Sequence, residues 1–109
     1  MVDDSIVKVV QAYLVAVRHA GIRAVKAVVF GSHARGQAGP DSDIDLVVIA
    51  PEFDDTHDRR LGGILWRLRA RTDSRIEPVG VGVRQWEEDQ GNPLLAVVRA
   101  EGEEIVAPA

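Results

Sequence analysis

The sequence predicts an α/β domain of the α+β kind, a mixed β-sheet with helices packed on it in two layers. Three observations carry that expectation. Apolar residues recur at helical spacing from Ile6 to Val17 and again from Leu61 to Leu68. Short β-branched runs stand between and after them, at residues 24–30, 44–49 and 75–83. The link between the first two runs, residues 31–43, has no room for a full crossover helix, so an antiparallel pair fits it better than a parallel one. Helices alternating with strands give two packed layers, and the antiparallel pair makes the sheet mixed.

The elements follow in order. Ser5, or Asp4 before it, is a good N-cap for a first helix over residues 5–19, and Gly21 stands where a C′ glycine would. Its stripe of Ile6, Val9, Val10, Tyr13, Leu14 and Val17 is core. Residues 24–30 form a buried strand ending at Gly31, and Gly39-Pro40-Asp41-Ser42 has turn composition. Ile44 to Ile49 is the clearest strand, closed by Pro51. A second helix covers residues 55–71 despite Gly62 and Gly63, each of which costs about 1 kcal/mol. The strand at 75–83 contains Pro78, which has no N–H to give, so it belongs near an edge or at a bulge. A helical turn at 85–89, a helix from Pro93 to Glu101 ended by Gly102, and a short strand at Ile105-Val106 complete the chain.

The 109 residues are expected to form one domain, 1–109. No uninterrupted apolar run, 46–50 included, comes near the roughly 20 residues of a membrane span. Asp3 and Asp4 stand where a signal peptide would be basic. With no cysteine, disulfides, thiolate chemistry and cysteine metal sites are excluded, and a cytoplasmic setting is expected. The net charge of −4, with only 5% aromatic residues, makes a general nucleic-acid binder a poor reading, because it lacks both the phosphate-neutralising surplus and a stacking platform.

Chemistry concentrates in Val28-Val29-Phe30-Gly31-Ser32-His33-Ala34-Arg35-Gly36 and in Asp41-Ser42-Asp43-Ile44-Asp45-Leu46. Asp43 and Asp45 lie at i and i+2 at the head of an apolar strand, so alternation puts both carboxylates on one face. Like charges that close repel and resist desolvation, and divalent cations reverse that cost. Hard carboxylate oxygens at this spacing suit Mg²⁺. Gly31-Ser32 follows a buried strand and opens a turn. Glycine admits a ligand close to the backbone, and the serine hydroxyl with the free N–H groups of a turn can hold phosphate oxygens.

The pattern of Gly-Ser, a spacer of this length, Asp-x-Asp between apolar residues and a later acid resembles the signature of the DNA polymerase beta-like nucleotidyltransferase superfamily. The wording Gly-Ser-His-Ala-Arg-Gly followed by Ser-Asp-Ile-Asp-Leu is most similar to the minimal nucleotidyltransferases, which often act as antitoxin partners of HEPN-type toxins. The likeness runs on through Ile49-Ala50-Pro51-Glu52-Phe53-Asp54, the acid of Ile76-Glu77-Pro78-Val79, and Asn92-Pro93-Leu94-Leu95, over roughly residues 24–106. It implies a single minimal nucleotidyltransferase domain in which Asp43, Asp45 and Glu77 hold two Mg²⁺ ions. Gly31, Ser32 and Arg35 would bind a nucleoside triphosphate, ATP foremost, and Glu77 would draw the proton from an acceptor hydroxyl. The third acid is Glu where Asp is commoner, one methylene longer in reach. His33 receives no role.

Plainer readings exist for each residue. An Asp-x-Asp can be a solvated strand end. Asp41, Asp43, Asp45 and Glu52 fall at EF-hand positions, but Leu46 stands where that loop needs glycine. Glu77 could be a solvated edge residue and Arg35 an exposed loop arginine. His19, His33 and His57 show no metal-ligand spacing, and each reads first as a surface histidine. Arg60, Arg67 and Arg71 on one flank of the second helix read first as a solvated face. Trp66 lies about 150° from the apolar stripe of that helix, which fits a contact with an oligomer mate or another protein.

Two functions of different class follow. One is a Mg²⁺-dependent enzyme moving an NMP, AMP foremost, from a triphosphate to a hydroxyl on a protein or small molecule, with adenylylation of a HEPN-type toxin among its forms. The other is an antitoxin-like binding module that neutralises a helical toxin by contact. Only about 25 residues follow position 84, leaving little chain to hold an acceptor, so a helical partner protein or a homo-oligomer is expected.

Overall fold

The structure, a computed structural model, describes residues 2–54 and 59–108. The first helix, α1 (Asp4–His19), is capped one residue earlier than expected. Asp3 has extended backbone and its carboxylate accepts the Ser5 N–H, so Asp4 falls inside the helix, where its charge faces the positive end of the dipole. At the other end Gly21, at φ +96°, donates its N–H to the Arg18 carbonyl, as a C′ glycine does.

Four strands form one mixed sheet in the order β3-β2-β1-β4: β1 (Lys26–Phe30), β2 (Ile44–Ile49), β3 (Ile76–Val81) and β4 (Glu103–Val106). β1 pairs antiparallel with both β2 and β4, and β2 pairs parallel with β3. The short link thus makes the antiparallel pair the sequence predicts. β1 is shorter than residues 24–30 by two, although the Val25 N–H already reaches the Ile49 carbonyl at 2.8 Å. β3 is an edge strand, which is what its proline allows.

α2 (Arg59–Thr72) links β2 to β3 and carries Leu61, Ile64, Leu65 and Leu68 inward. The predicted start of this helix at Asp55, and His57 with it, lie outside the described residues. α1 and α2 cover one face of the sheet, packing Val10, Tyr13, Leu14, Val17 and Leu65 onto Ala27, Val29, Leu46, Val48 and Ile76. α3 (Val83–Glu88) starts two residues before the expected helical turn. Together with α4 (Pro93–Glu101) it covers part of the other face, where Leu95, Val98 and Trp86 meet Val28, Val47, Ile49 and Val81. The two layers of the sequence reading are the sheet and α1/α2; the shorter α3/α4 layer sits across from them. No helix among the described residues is long and apolar enough to cross a membrane.

The α1–α2 contact contains a buried polar link: the Tyr13 hydroxyl donates to the Leu65 carbonyl at 2.7 Å, and burial pushes the phenol pKa well up while the Arg69 charge offsets part of the rise. Tyr13→Phe keeps the ring and loses the bond. The expected loss is about 1 kcal/mol, read as a fall of roughly 5 °C in Tm. An unchanged Tm would mean that the hydroxyl bonds equally well to water in the unfolded chain.

Candidate active site

Strand register builds the site. Phe30 is opposite Asp45 across the antiparallel pair, and Asp45 is opposite Glu77 across the parallel pair. These three positions form one row on the α3/α4 face, because opposite residues in a ladder point the same way. Asp45 and Glu77 sit on adjacent strands, whose spacing is about 4.8 Å. Asp43 precedes β2, two residues before Asp45, and is exposed; Asp45 and Glu77 are half-buried.

The electrostatics agree with the register. Burial first, then repulsion from Asp43 and from Glu77, holds the Asp45 carboxyl above the usual carboxylate range, while the charges of Arg35 and His33 pull it down. Two carboxylates acting on a third, half-buried one are an unfavourable arrangement for the protein alone. They are a favourable donor set for a hard divalent cation, so the residues present fit the metal the sequence implies. Among the described residues no three His, Asp or Glu side chains already stand in a group that could hold an ion.

Gly31 ends β1 at φ +75°, and a Cβ there would collide with the Asp45 carboxylate, whose Cγ would be 3.1 Å away. The glycine therefore both turns the chain and leaves room for the acid. The turn that follows is stitched by Arg35 N–H to the Gly31 carbonyl (3.1 Å) and Gln37 N–H to the Ser32 carbonyl (2.9 Å). Ser32 is half-buried within it. Arg35 is exposed. Its Nη1 donates to Glu101 Oε2 at the end of α4 (2.9 Å) and its Nε to Gln37 Oε1 (3.2 Å). An exposed pair of this kind is worth about 0–1 kcal/mol, little enough for a phosphate to take the guanidinium over.

The sequence reading missed two participants in this arrangement. Glu101 meets Arg35 from 66 positions away, and no sequence spacing encodes that. His33 faces inward, bonds the Ser42 carbonyl at 3.2 Å and adds its charge to the set acting on Asp45. Its place between the two halves of the motif was visible in the sequence, but its direction was not. The expected surface character of His19 holds, in the last turn of α1. A cleft of about 440 Å³ opens beside the site, between Asp3, Ser5 and Ile6 of the chain start and the 36–40 loop, with His33 and Arg75 in its wall. The acids do not line it. Trp66 is 46% exposed, with the Arg69 guanidinium 4.2 Å from its ring centre.

The sequence matches the nucleotidyltransferase domain family over residues 15–94. No curated protein matches it. Among solved structures the fold is similar to a protein of Sulfolobus solfataricus assigned as a nucleotidyltransferase, with TM-score 0.63, 13% identity, and 92% of this chain and 78% of that one covered. It is also similar to a chain of a toxin–antitoxin structure with AMP-PNP, with TM-score 0.59, 21% identity, and 90% and 73% covered. A third is a chain of the complex of a tri-AMPylated Shewanella oneidensis HEPN toxin with an MNT antitoxin, with TM-score 0.54, 19% identity, and 94% and 73% covered. At these identities the likeness is one of fold. The family match runs from within α1 through Gly31-Ser32, Asp43-Ile44-Asp45 and Glu77 to the start of α4, so the chain belongs to the nucleotidyltransferase domain family and is a transferase.

Proposed function

We propose that residues 1–109 work as one minimal nucleotidyltransferase domain that moves AMP from ATP to a hydroxyl of a protein acceptor, a HEPN-type helical partner. The observation that carries this reading is the register of Asp45 with Glu77 on adjacent parallel strands, with Asp43 two residues before and Gly31 lodged against the Asp45 carboxylate. The similarity in fold to an antitoxin bound to an AMPylated HEPN toxin supports the choice of acceptor class, and the structure with AMP-PNP supports the adenine nucleotide.

Asp43, Asp45 and Glu77 would hold two Mg²⁺ ions, which when bound supply charge neutralisation at the attacking and leaving oxygens. The Gly31 backbone and the Ser32 hydroxyl hold the β- and γ-phosphates, and Arg35, released from Glu101, adds a cation at their edge. Glu77 takes the proton as the acceptor oxygen bonds to the α-phosphorus. The α–β phosphoanhydride bond breaks, and its electron pair leaves with pyrophosphate. The face of α2 bearing exposed Trp66 suits contact with the partner, which is also what the simpler antitoxin reading, neutralisation by contact, would use.

The deciding experiment incubates the protein and a co-purified helical partner with Mg²⁺ and each α-labelled triphosphate, then reads label on protein. ATP-dependent, Mg²⁺-dependent labelling that Glu77→Gln removes is the expected result. Binding of the partner with no labelling under any triphosphate would leave neutralisation by contact as the function.

A further inference from the structure

Two short turns meet at the candidate site, and each is closed by bonds of its own. The first, after β1, is held by the Arg35 and Gln37 N–H bonds to Gly31 and Ser32. The second, before β2, is closed by the Gly39 N–H donating to Ser42 Oγ (2.9 Å) and the Ser42 N–H to the Gly39 carbonyl (3.2 Å). The first holds the phosphate-facing groups and the second leads into Asp43. Neither set of bonds relates one turn to the other. The middle of the loop is tied elsewhere, by Arg75 Nη1 to the Pro40 carbonyl at 3.1 Å.

His33 is the side chain that spans the two turns. It follows Ser32 directly, its ring is half-buried, and its Nε2 lies 3.2 Å from the carbonyl oxygen of Ser42, the neighbour of Asp43. A carbonyl only accepts, so Nε2 carries the proton and donates. The bond therefore sets the distance between the phosphate-holding turn and the head of the acid-bearing strand.

We infer that His33 is a positioning residue: its bond to Ser42 locks the Gly31-Ser32 turn to Asp43 and Asp45, so that cation and triphosphate bind as one coupled unit. This rests on the function proposed above and deepens it. A cation shared between carboxylates and phosphate oxygens binds well only when both sets of oxygens are held at the right separation. That dependence is a coupling free energy, and it acts equally on both ligands. Removing the lock leaves each half intact and weakens the coupling between them.

The test measures AMP-PNP affinity without and with Mg²⁺, and Mg²⁺ affinity without nucleotide, by calorimetry on the full chain. His33→Phe fills the ring's space without a donor, and His33→Gln keeps a donor. With His33→Phe, each ligand alone binds within about twofold of wild type, while the gain in AMP-PNP affinity produced by Mg²⁺ falls about tenfold, a size ordinary for coupled sites. His33→Gln recovers most of that gain and unfolds near the wild-type temperature, while His33→Phe stays folded at the assay temperature but melts somewhat lower, as the loss of one hydrogen bond requires. The inference is overturned if His33→Phe keeps the full gain, if it weakens each ligand alone as much as the pair, or if a folded His33→Gln loses the gain as completely as Phe does. Should Phe not fold, His33→Leu, which also lacks a donor, takes its place with the same expected loss and the same overturning results. A wild-type protein in which Mg²⁺ adds nothing to AMP-PNP affinity, or in which Asp45→Asn keeps the whole gain, would instead remove the functional reading on which this rests.

Discussion

Asp45→Asn is expected to lower nucleotidyl transfer by about 10³-fold or more, roughly 4 kcal/mol of barrier, and to leave the folded protein more stable at neutral pH. The first effect follows from removing the central one of three carboxylates, the one that both Asp43 and Glu77 act upon. The amide keeps the shape and one oxygen and gives up the charge. The second effect has a definite sign. Burial and two neighbouring acids raise the folded-state pKa of Asp45 above its unfolded value. A raised acid stabilises the fold while protonated, and that contribution is lost as pH rises through the raised pKa. Above that point wild type carries a crowded, part-buried anion and the variant does not. The stability gap between them should therefore be widest near neutrality and close on acidification below the ordinary aspartate range. Added Mg²⁺ should raise the Tm of wild type and not of the variant, since only wild type keeps the full acid set. Parallel thermal melts of both proteins across pH, with and without Mg²⁺, check all three statements. A variant less stable than wild type at pH 7, or one that keeps full Mg²⁺-dependent activity, contradicts the assignment.

Gly31→Ala should damage both stability and transfer, for two separable reasons. The backbone at φ +75° costs a residue with a Cβ about 1–2 kcal/mol. The new methyl would also collide with the Asp45 carboxylate, so the acid must move. A displacement of about 1 Å at a positioning site can cost 10²-fold in rate. Gly36→Ala supplies the control: it lies in the same loop at φ +71°, and a Cβ there would meet nothing within 4 Å. It should carry the backbone strain without the collision. Both variants should melt lower than wild type, and Gly31→Ala alone should lose transfer by about two orders of magnitude. Equal rates in the two would show that Gly31 serves the turn and not the acid.

Much of this protein was legible from local pattern, because local pattern is what sets helix and strand. The stripe from Ile6 to Val17, the run Ile44–Ile49 and the proline-marked strand at Pro78 all became the elements they predict. The motif residues were legible too, since glycine before serine and Asp-x-Asp at a strand head carry their chemistry in their spacing. End points were less so. The cap fell to Asp3 over Ser5 because a cap is chosen by which side chain reaches a free N–H, and several adjacent residues offered an oxygen. What sequence alone determined was therefore the inventory: which groups exist, and which strand or turn bears each. The tertiary structure decided their meeting. Glu77 is 32 positions beyond Asp45 in the chain and becomes its neighbour only because β2 and β3 align in that one parallel register. A slip of one residue would turn Glu77 to the other face of the sheet. His33 and Glu101 were ordinary polar residues until the chain folded back, one onto Ser42 and the other onto Arg35. Side-chain direction in a loop and contact across the sheet depend on packing between distant segments, and no spacing rule encodes that.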